Sequence, residues 1–122
     1  MQRTNYYEEL TTFKIGFSDY LIILSDYIEI DGNIDYRGKF EFMDCRITLS
    51  NQMNHQRTRE TLVHEIVHAI ISESSTTELL GNNEEEFVNR FSKVLNQFLI
   101  DNTNFHQKFS EKILKKGELS HL

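Results

Sequence analysis

The pentapeptide His64-Glu65-Ile66-Val67-His68 carries the residues of this chain best suited to chemistry. On an α-helix, positions i and i+4 lie one turn apart on the same face. Two imidazoles at that spacing can therefore aim ring nitrogens at one centre, and zinc accepts such nitrogens at about 2.0–2.1 Å. Glu65 falls beside that centre rather than on it, where a carboxylate can take a proton from water activated by a metal. Chance alone would give this H-E-x-x-H pattern about 0.02 times in a chain of this length and composition. The competing reading is a pair of solvated or hydrogen-bonded helix histidines. It is weakened by the apolar stretch around them, in which polar side chains need partners.

A catalytic zinc ordinarily takes three protein ligands and leaves one position open. The third ligand must come from elsewhere, and Glu84, Glu85 and Glu86 stand at the start of the next helical stretch. Acidic residues also favour a helix's first turn for electrostatic reasons, so not all three need coordinate. At about 100° per residue, Glu84 lies nearest the centre of the Phe87, Phe91, Leu95 and Phe98 stripe. Glu85 lies at its margin on the Val88 side, and Glu86 points with Arg90, Lys93 and Gln97 towards solvent. Periodicity slightly favours Glu84, leaves Glu85 open and disfavours Glu86.

The elements that must position these residues differ between the two parts of the chain. Up to about residue 50, β-branched and aromatic residues dominate. Phe13, Ile15 and Phe17 alternate with polar or small residues, as in a half-buried strand. Tyr20 to Leu24 is short, apolar and strand-prone, with Ser18-Asp19 as a bulge or turn before it. Tyr27 to Ile30 adds extended chain, and Asp31-Gly32-Asn33 is a turn signal. The runs around Phe40 and Phe42 and around Cys45, Ile47 and Leu49 predict a hairpin joined through Met43-Asp44. From about Gln56 the period becomes helical. Leu62, Val63, Ile66, Val67, Ile70 and Ile71 share one face, and the helix fades in the Ser72 to Thr77 stretch. Gly81-Asn82-Asn83 forms a loop and cap. A second helix carries Phe87, Val88, Phe91, Val94, Leu95 and Phe98, and Asp101 to Asn104 interrupts it. A last short helix carries Phe105, Phe109 and Ile113, ending near Gly117.

These patterns predict an α+β domain. A small antiparallel or mixed sheet of about three strands packs on the active-site helix and a second, ligand-bearing helix, with a short C-terminal helix. We expect one domain over 1–122, with a core at about 13–98 and a helical extension at 99–122.

Composition narrows the function classes. Thirteen Lys and Arg against nineteen Asp and Glu give a net charge of −6, which argues against direct nucleic-acid binding. The longest apolar run, Leu21 to Leu24, is far short of the roughly 20 residues of a membrane span. The first ten residues lack the apolar run of a signal peptide. Cys45 is the lone cysteine, which fits a reducing compartment, and a cytoplasmic location is expected. With no activating partner in view, Cys45 reads as a packed small hydrophobe rather than a nucleophile.

Arg57 to Ile70, followed by Glu85-Glu-Phe-Val-Asn-Arg-Phe91, resembles small zinc-peptidase-like proteins of phages and mobile elements. These are relatives of the ImmA/IrrE-type anti-repressor metallopeptidases. Gly38 to Ser50 resembles the strands that precede their metal helix, and the similarity extends over about Phe13 to Phe98. In that family the third ligand is a Glu four residues before an Asn or Asp, in a pattern like E-x-x-A-N-x-F. Asn89 and Phe91 match the later positions and Val88 stands where Ala is usual, so the resemblance implies Glu85. It also implies a protein or peptide substrate such as a transcriptional regulator of phage or mobile-element genes.

Two functions follow. One is a zinc peptidase with His64, His68 and Glu85 as metal ligands and Glu65 as the catalytic base. The other is a metallopeptidase fold that keeps its metal but acts by holding a regulator. Tyr20, Tyr27, Tyr36, His55 and His106 are candidate donors to an oxyanion. The Cys45 to Leu49 strand is a candidate edge for pairing with an extended peptide. The aromatic stripes Phe87/Phe91/Phe98, Phe105/Phe109 and Phe13/Phe17 are expected in the core.

Overall fold

The fold was obtained as a computed structural model that describes residues 6–114. Four strands form one mixed sheet in the order β1-β2-β4-β3, with β1 at Tyr7–Ile15, β2 at Ser18–Ser25, β3 at Gly38–Glu41 and β4 at Arg46–Ser50. Helices follow: α1 at His55–Glu73, the single turn α2 at Thr77–Leu80, α3 at Glu84–Asp101 and α4 at Phe105–Phe109. The α+β class holds, with one strand more than the three expected. The strand expected around Phe13 and Ile15 forms as the end of β1, which starts earlier, at Tyr7. Its side chains are exposed up to Lys14, and residues 7–12 show no apolar alternation. Backbone pairing to β2, with a register shift between Glu9 and Thr11, defines this strand instead.

The first two strands form a hairpin that turns at Gly16-Phe17, not at Ser18-Asp19. Gly16 has φ +62°, a conformation that costs glycine little, and Phe17 projects from the tip at 98% exposure. Asp31-Gly32 makes the expected turn, with Ile30 and Asn33 exchanging backbone hydrogen bonds of 2.9 and 3.0 Å. The hairpin of β3 and β4 also forms, but it returns β4 to the sheet interior. There β4 runs parallel to β2 and antiparallel to β3. The Cys45 to Leu49 segment is therefore no edge strand. The edge beside α1 is β3.

Helix α1 begins where Asn54 Oδ1 accepts from the Arg57 backbone N–H at 2.8 Å, an N-cap that satisfies one otherwise unpaired donor. The apolar residues of α1 do not all serve one surface. Leu62, Ile66 and Ala69 pack on the sheet with Ile15, Tyr20, Ile22, Ile47 and Leu49. Val67 and Ile71 meet Val88 of α3, with Leu80 and Leu95 alongside. The helix is thus sandwiched between sheet and α3, and Ile70 is left largely exposed. Its C-terminal end is tied to the first hairpin. Buried Tyr20 donates its O–H to Glu73 Oε2 at 2.5 Å, and Ser18 donates to Glu73 Oε1 at 3.3 Å. Burial, reinforced by the Glu73 hydrogen bond, holds the Tyr20 phenol above its ordinary pKa.

The expected aromatic core does not form. Phe13, Phe87, Phe91, Phe98 and Phe105 are each more than a third exposed. The buried residues of α3 are Val88, Ser92 and Asn96, so this helix turns a partly polar face inwards. After α4 the chain continues as a π-helical turn at Ser110–Leu114. The expected helix end near Gly117 lies outside the described residues.

One close approach ties β3 to α1. A Cβ at Gly38 would lie 2.7 Å from Thr61 Cγ2 and 3.2 Å from Glu65 Cγ, so the missing side chain lets β3 press against α1 beside Glu65. Gly38→Ala should destabilise the protein by about 1–3 kcal/mol through overpacking, read as a lowered urea or thermal midpoint. An unchanged midpoint would contradict this contact.

Candidate metal centre

His64 and His68 lie one turn apart on α1, with ring centroids 5.1 Å apart. Across from them stands the first turn of α3. Glu85 places Oε1 at 3.1 Å from His64 Nε2 and Oε2 at 2.9 Å from His68 Nε2. A single carboxylate thus faces the Nε2 atoms of both histidines. The three acidic residues of that turn divide by direction. Glu84 Oε2 sits 2.7 Å from His68 Nδ1, while Glu86 pairs with Arg90 at 2.6 Å on the solvent side. Helical phase had favoured Glu84 over Glu85. The structure brings both to His68, and of the two only Glu85 to His64.

These donors suit a cation. His64, Glu65 and His68 offer ligand atoms within 4.8 Å of one another, close enough to hold a metal ion. Ligands about 2.0–2.2 Å from a tetrahedral ion lie about 3.3 Å from each other. The Glu85 contacts approach that spacing more closely than the wider envelope that includes Glu65. Without a cation, Glu65, Glu84 and Glu85 crowd three carboxyl groups around two imidazoles, an arrangement that a positive ion would relieve. Burial pushes the His64 pKa down, with Glu85 opposing and His68 adding to the shift. The neutral imidazole that a metal requires is therefore favoured at His64.

His68 is held at both nitrogens. When Nδ1 carries the proton it donates to Glu84, which leaves the Nε2 lone pair facing Glu85 and the shared centre. A carboxylate on the outer nitrogen of a metal-ligating imidazole fixes both tautomer and ring orientation. Sequence reasoning weighed Glu84 only as a competing ligand and missed this contact. The adjacent pair Glu84-Glu85 was the available signal, since a helix start can set one carboxylate on each side of an incoming ring.

Glu65 is 7% exposed, under the cleft where β3 meets α1. Burial raises its pKa from 4.5 to about 7, with His68 opposing and Glu85 adding to the rise. A carboxyl that exchanges its proton near neutral pH is suited to both taking and returning one.

A cleft of about 950 Å³ opens over these residues between α1, α3 and the β3 edge. Of the five candidate oxyanion donors, Tyr36 alone lines it. Tyr20 is committed to Glu73, Tyr27 lines a separate groove that includes Lys39 and Thr48, His55 lies 3.0 Å from Arg59, and His106 is on α4. Cys45 occupies the β3–β4 turn at φ 49° and packs against the sheet core, consistent with a structural thiol. Sequence reasoning also missed Ser92 and Asn96, which line the cleft from α3 and are both more than nine-tenths buried. Their spacing from Glu85, at i+7 and i+11, places them on the same helix face and was the legible signal. Among the described residues nothing donates to Asn96 Oδ1, an omission that costs about 1–3 kcal/mol for a buried acceptor.

No protein-family model, curated protein or solved structure matches the chain. Among the described residues, no helix is long and apolar enough to cross a membrane.

The Glu84 contact has a measurable consequence. Glu84→Gln keeps the shape but removes the charge that steadies His68, and should weaken metal binding about 10- to 100-fold in competition with a chromogenic chelator. Equal affinity in the two proteins would show that Glu84 does not support the site.

Proposed function

We propose that this protein is a zinc-dependent metallopeptidase that hydrolyses peptide bonds in a protein partner. The observation carrying this reading is the meeting of Glu85 with both imidazole Nε2 atoms, above a buried Glu65. In this reading His64, His68 and Glu85 hold the ion, and Glu84 orients His68. When bound, zinc supplies Lewis acidity, which polarises a carbonyl and makes water acidic enough to attack near neutral pH. Glu65 takes the proton released by the attacking water and delivers it to the departing amine. Tyr36, the candidate donor on the cleft wall, hydrogen-bonds the oxyanion as charge develops. The edge of β3 lies along the same cleft and supplies unpaired backbone groups to which an extended peptide can add as a strand.

The resemblance to anti-repressor metallopeptidases supports a transcriptional regulator as the partner, in the cytoplasm of a host cell. The acidic net charge supports recognition of protein rather than nucleic acid. One observation favours a second reading. Phe87 and Phe91 stack at 5.1 Å, and Phe98 and Phe105 meet at 5.6 Å, in an aromatic row left partly in solvent. Such a surface suits a module that holds its partner without cutting it.

Glu65 separates the two. Zinc-loaded protein and its Glu65→Gln variant are incubated with a proteome-derived peptide mixture, and new N-termini are counted by mass spectrometry. Equal zinc content is expected, with cleavage at least about 100-fold lower in the variant. Equal cleavage by both, or cleavage by neither, would contradict hydrolysis.

A further inference from the structure

The cleft continues past the metal centre along α3, and its lining changes character on the way. Val88, Ser92 and Asn96 are the buried positions of this helix, while phenylalanines at 87, 91 and 98 stay partly exposed. A helix that turns serine and asparagine inwards and phenylalanine outwards departs from the pattern that stabilises a fold, and such departures concentrate at binding sites. Asn96 Oδ1 sharpens the point. It is an acceptor removed from water, on a residue that lines the cleft, and no donor among the described residues reaches it.

We propose that Asn96 and Ser92 form a subsite for the primary carboxamide of an asparagine or glutamine side chain in a bound peptide. The inference rests on reading the cleft as a peptide-binding site, whether or not the peptide is then cut. The carboxamide of Asn96 presents one accepting and one donating end, and a second carboxamide complements both. Ser92 adds a hydroxyl that can donate or accept. An ammonium or guanidinium would also donate to Oδ1, but Arg37 and Lys93 line the cleft and repel it, with Glu60 as the acidic counterweight outside the metal centre. A carboxylate side chain has no donor for Oδ1 when ionised.

Distance along the helix places the subsite on the peptide. At 1.5 Å rise per residue, Ser92 and Asn96 lie about 10 and 16 Å beyond Glu85. An extended peptide advances about 3.3 Å per residue, so the selected side chain falls roughly three to five residues from the bond at the metal centre. This is a specificity element separate from the reacting atoms.

A random-peptide display library panned against zinc-loaded Glu65→Gln protein tests it, since that variant retains peptides it cannot cut. Asparagine or glutamine should be enriched at one fixed position. Asn96→Leu, made in the same background, should lose the enrichment and bind the selected peptides about tenfold or more weakly. Asn96→Asp, close in shape, should shift the preference to lysine or arginine at that position, which keeps the test decisive if the leucine variant folds poorly. Peptides recovered with no carboxamide preference, or a preference unchanged in Asn96→Asp, would overturn the subsite while leaving the peptide cleft standing. Recovery of no binding peptide would overturn the peptide-binding reading and the subsite with it.

Discussion

The packing of α3 against α1 is the constraint from which the site follows. Val67 and Ile71 meet Val88 in a small apolar contact, and that contact brings the first turn of α3 opposite two imidazoles one helical turn apart. Neither helix alone carries a centre of three ligands. The pairing also gathers acidic groups, because Glu85 faces both rings, Glu84 faces His68 and Glu65 lies beside the pair. Burial of Glu65 makes this costly for the bare protein, and a cation between the helices reverses the sign of the balance. Apolar packing thus positions the centre, and the ion that suits the donors would in turn clamp the helices.

Much of this was legible in the chain. The H-E-x-x-H spacing specifies one helix face. The helical period from about Gln56 and the Ser/Thr-rich stop after it come close to the α1 bounds, whereas the Asn54 cap emerges only from the structure. The Asp31-Gly32 turn and the β3–β4 hairpin were also readable, since each has a local chemical cause. Strand β1 was legible only at its end, residues 13–15; residues 7–12 were not, because they are held by backbone pairing to β2 and their side chains face solvent. The place of β4 was equally hidden. Its alternating pattern fits an edge or a centre, and only the parallel return beside β2 decides between them. The choice between Glu84 and Glu85 failed on phase alone, as both carboxylates reach His68 from different sides.

The aromatic residues gave the least reliable guidance. A stripe of phenylalanines at helical spacing ordinarily marks a core, yet α3 turns that stripe partly outwards. The face it turns to the cleft instead carries exposed Glu85 and buried Ser92 and Asn96. The helix therefore serves two demands that compete for the same surface. Val88 satisfies the demand for packing, and the polar positions around it satisfy the demand for a lined cleft. Gly38 does the same on the opposite wall, where the absence of a side chain lets the β3 edge reach α1 beside Glu65. Local propensity and site geometry disagree at these positions, and the site geometry prevails.

In the proposed site one metal ion sits among His64, His68 and Glu85. Zinc K-edge X-ray absorption on stoichiometrically loaded protein examines it directly. The expected result is about one zinc per chain with two imidazole nitrogens near 2.0–2.1 Å and carboxylate oxygen at about 2.0–2.2 Å, the imidazole scattering falling by half in His68→Ala. A failure to load zinc, or a coordination sphere of water oxygens unaltered by His68→Ala, would contradict it.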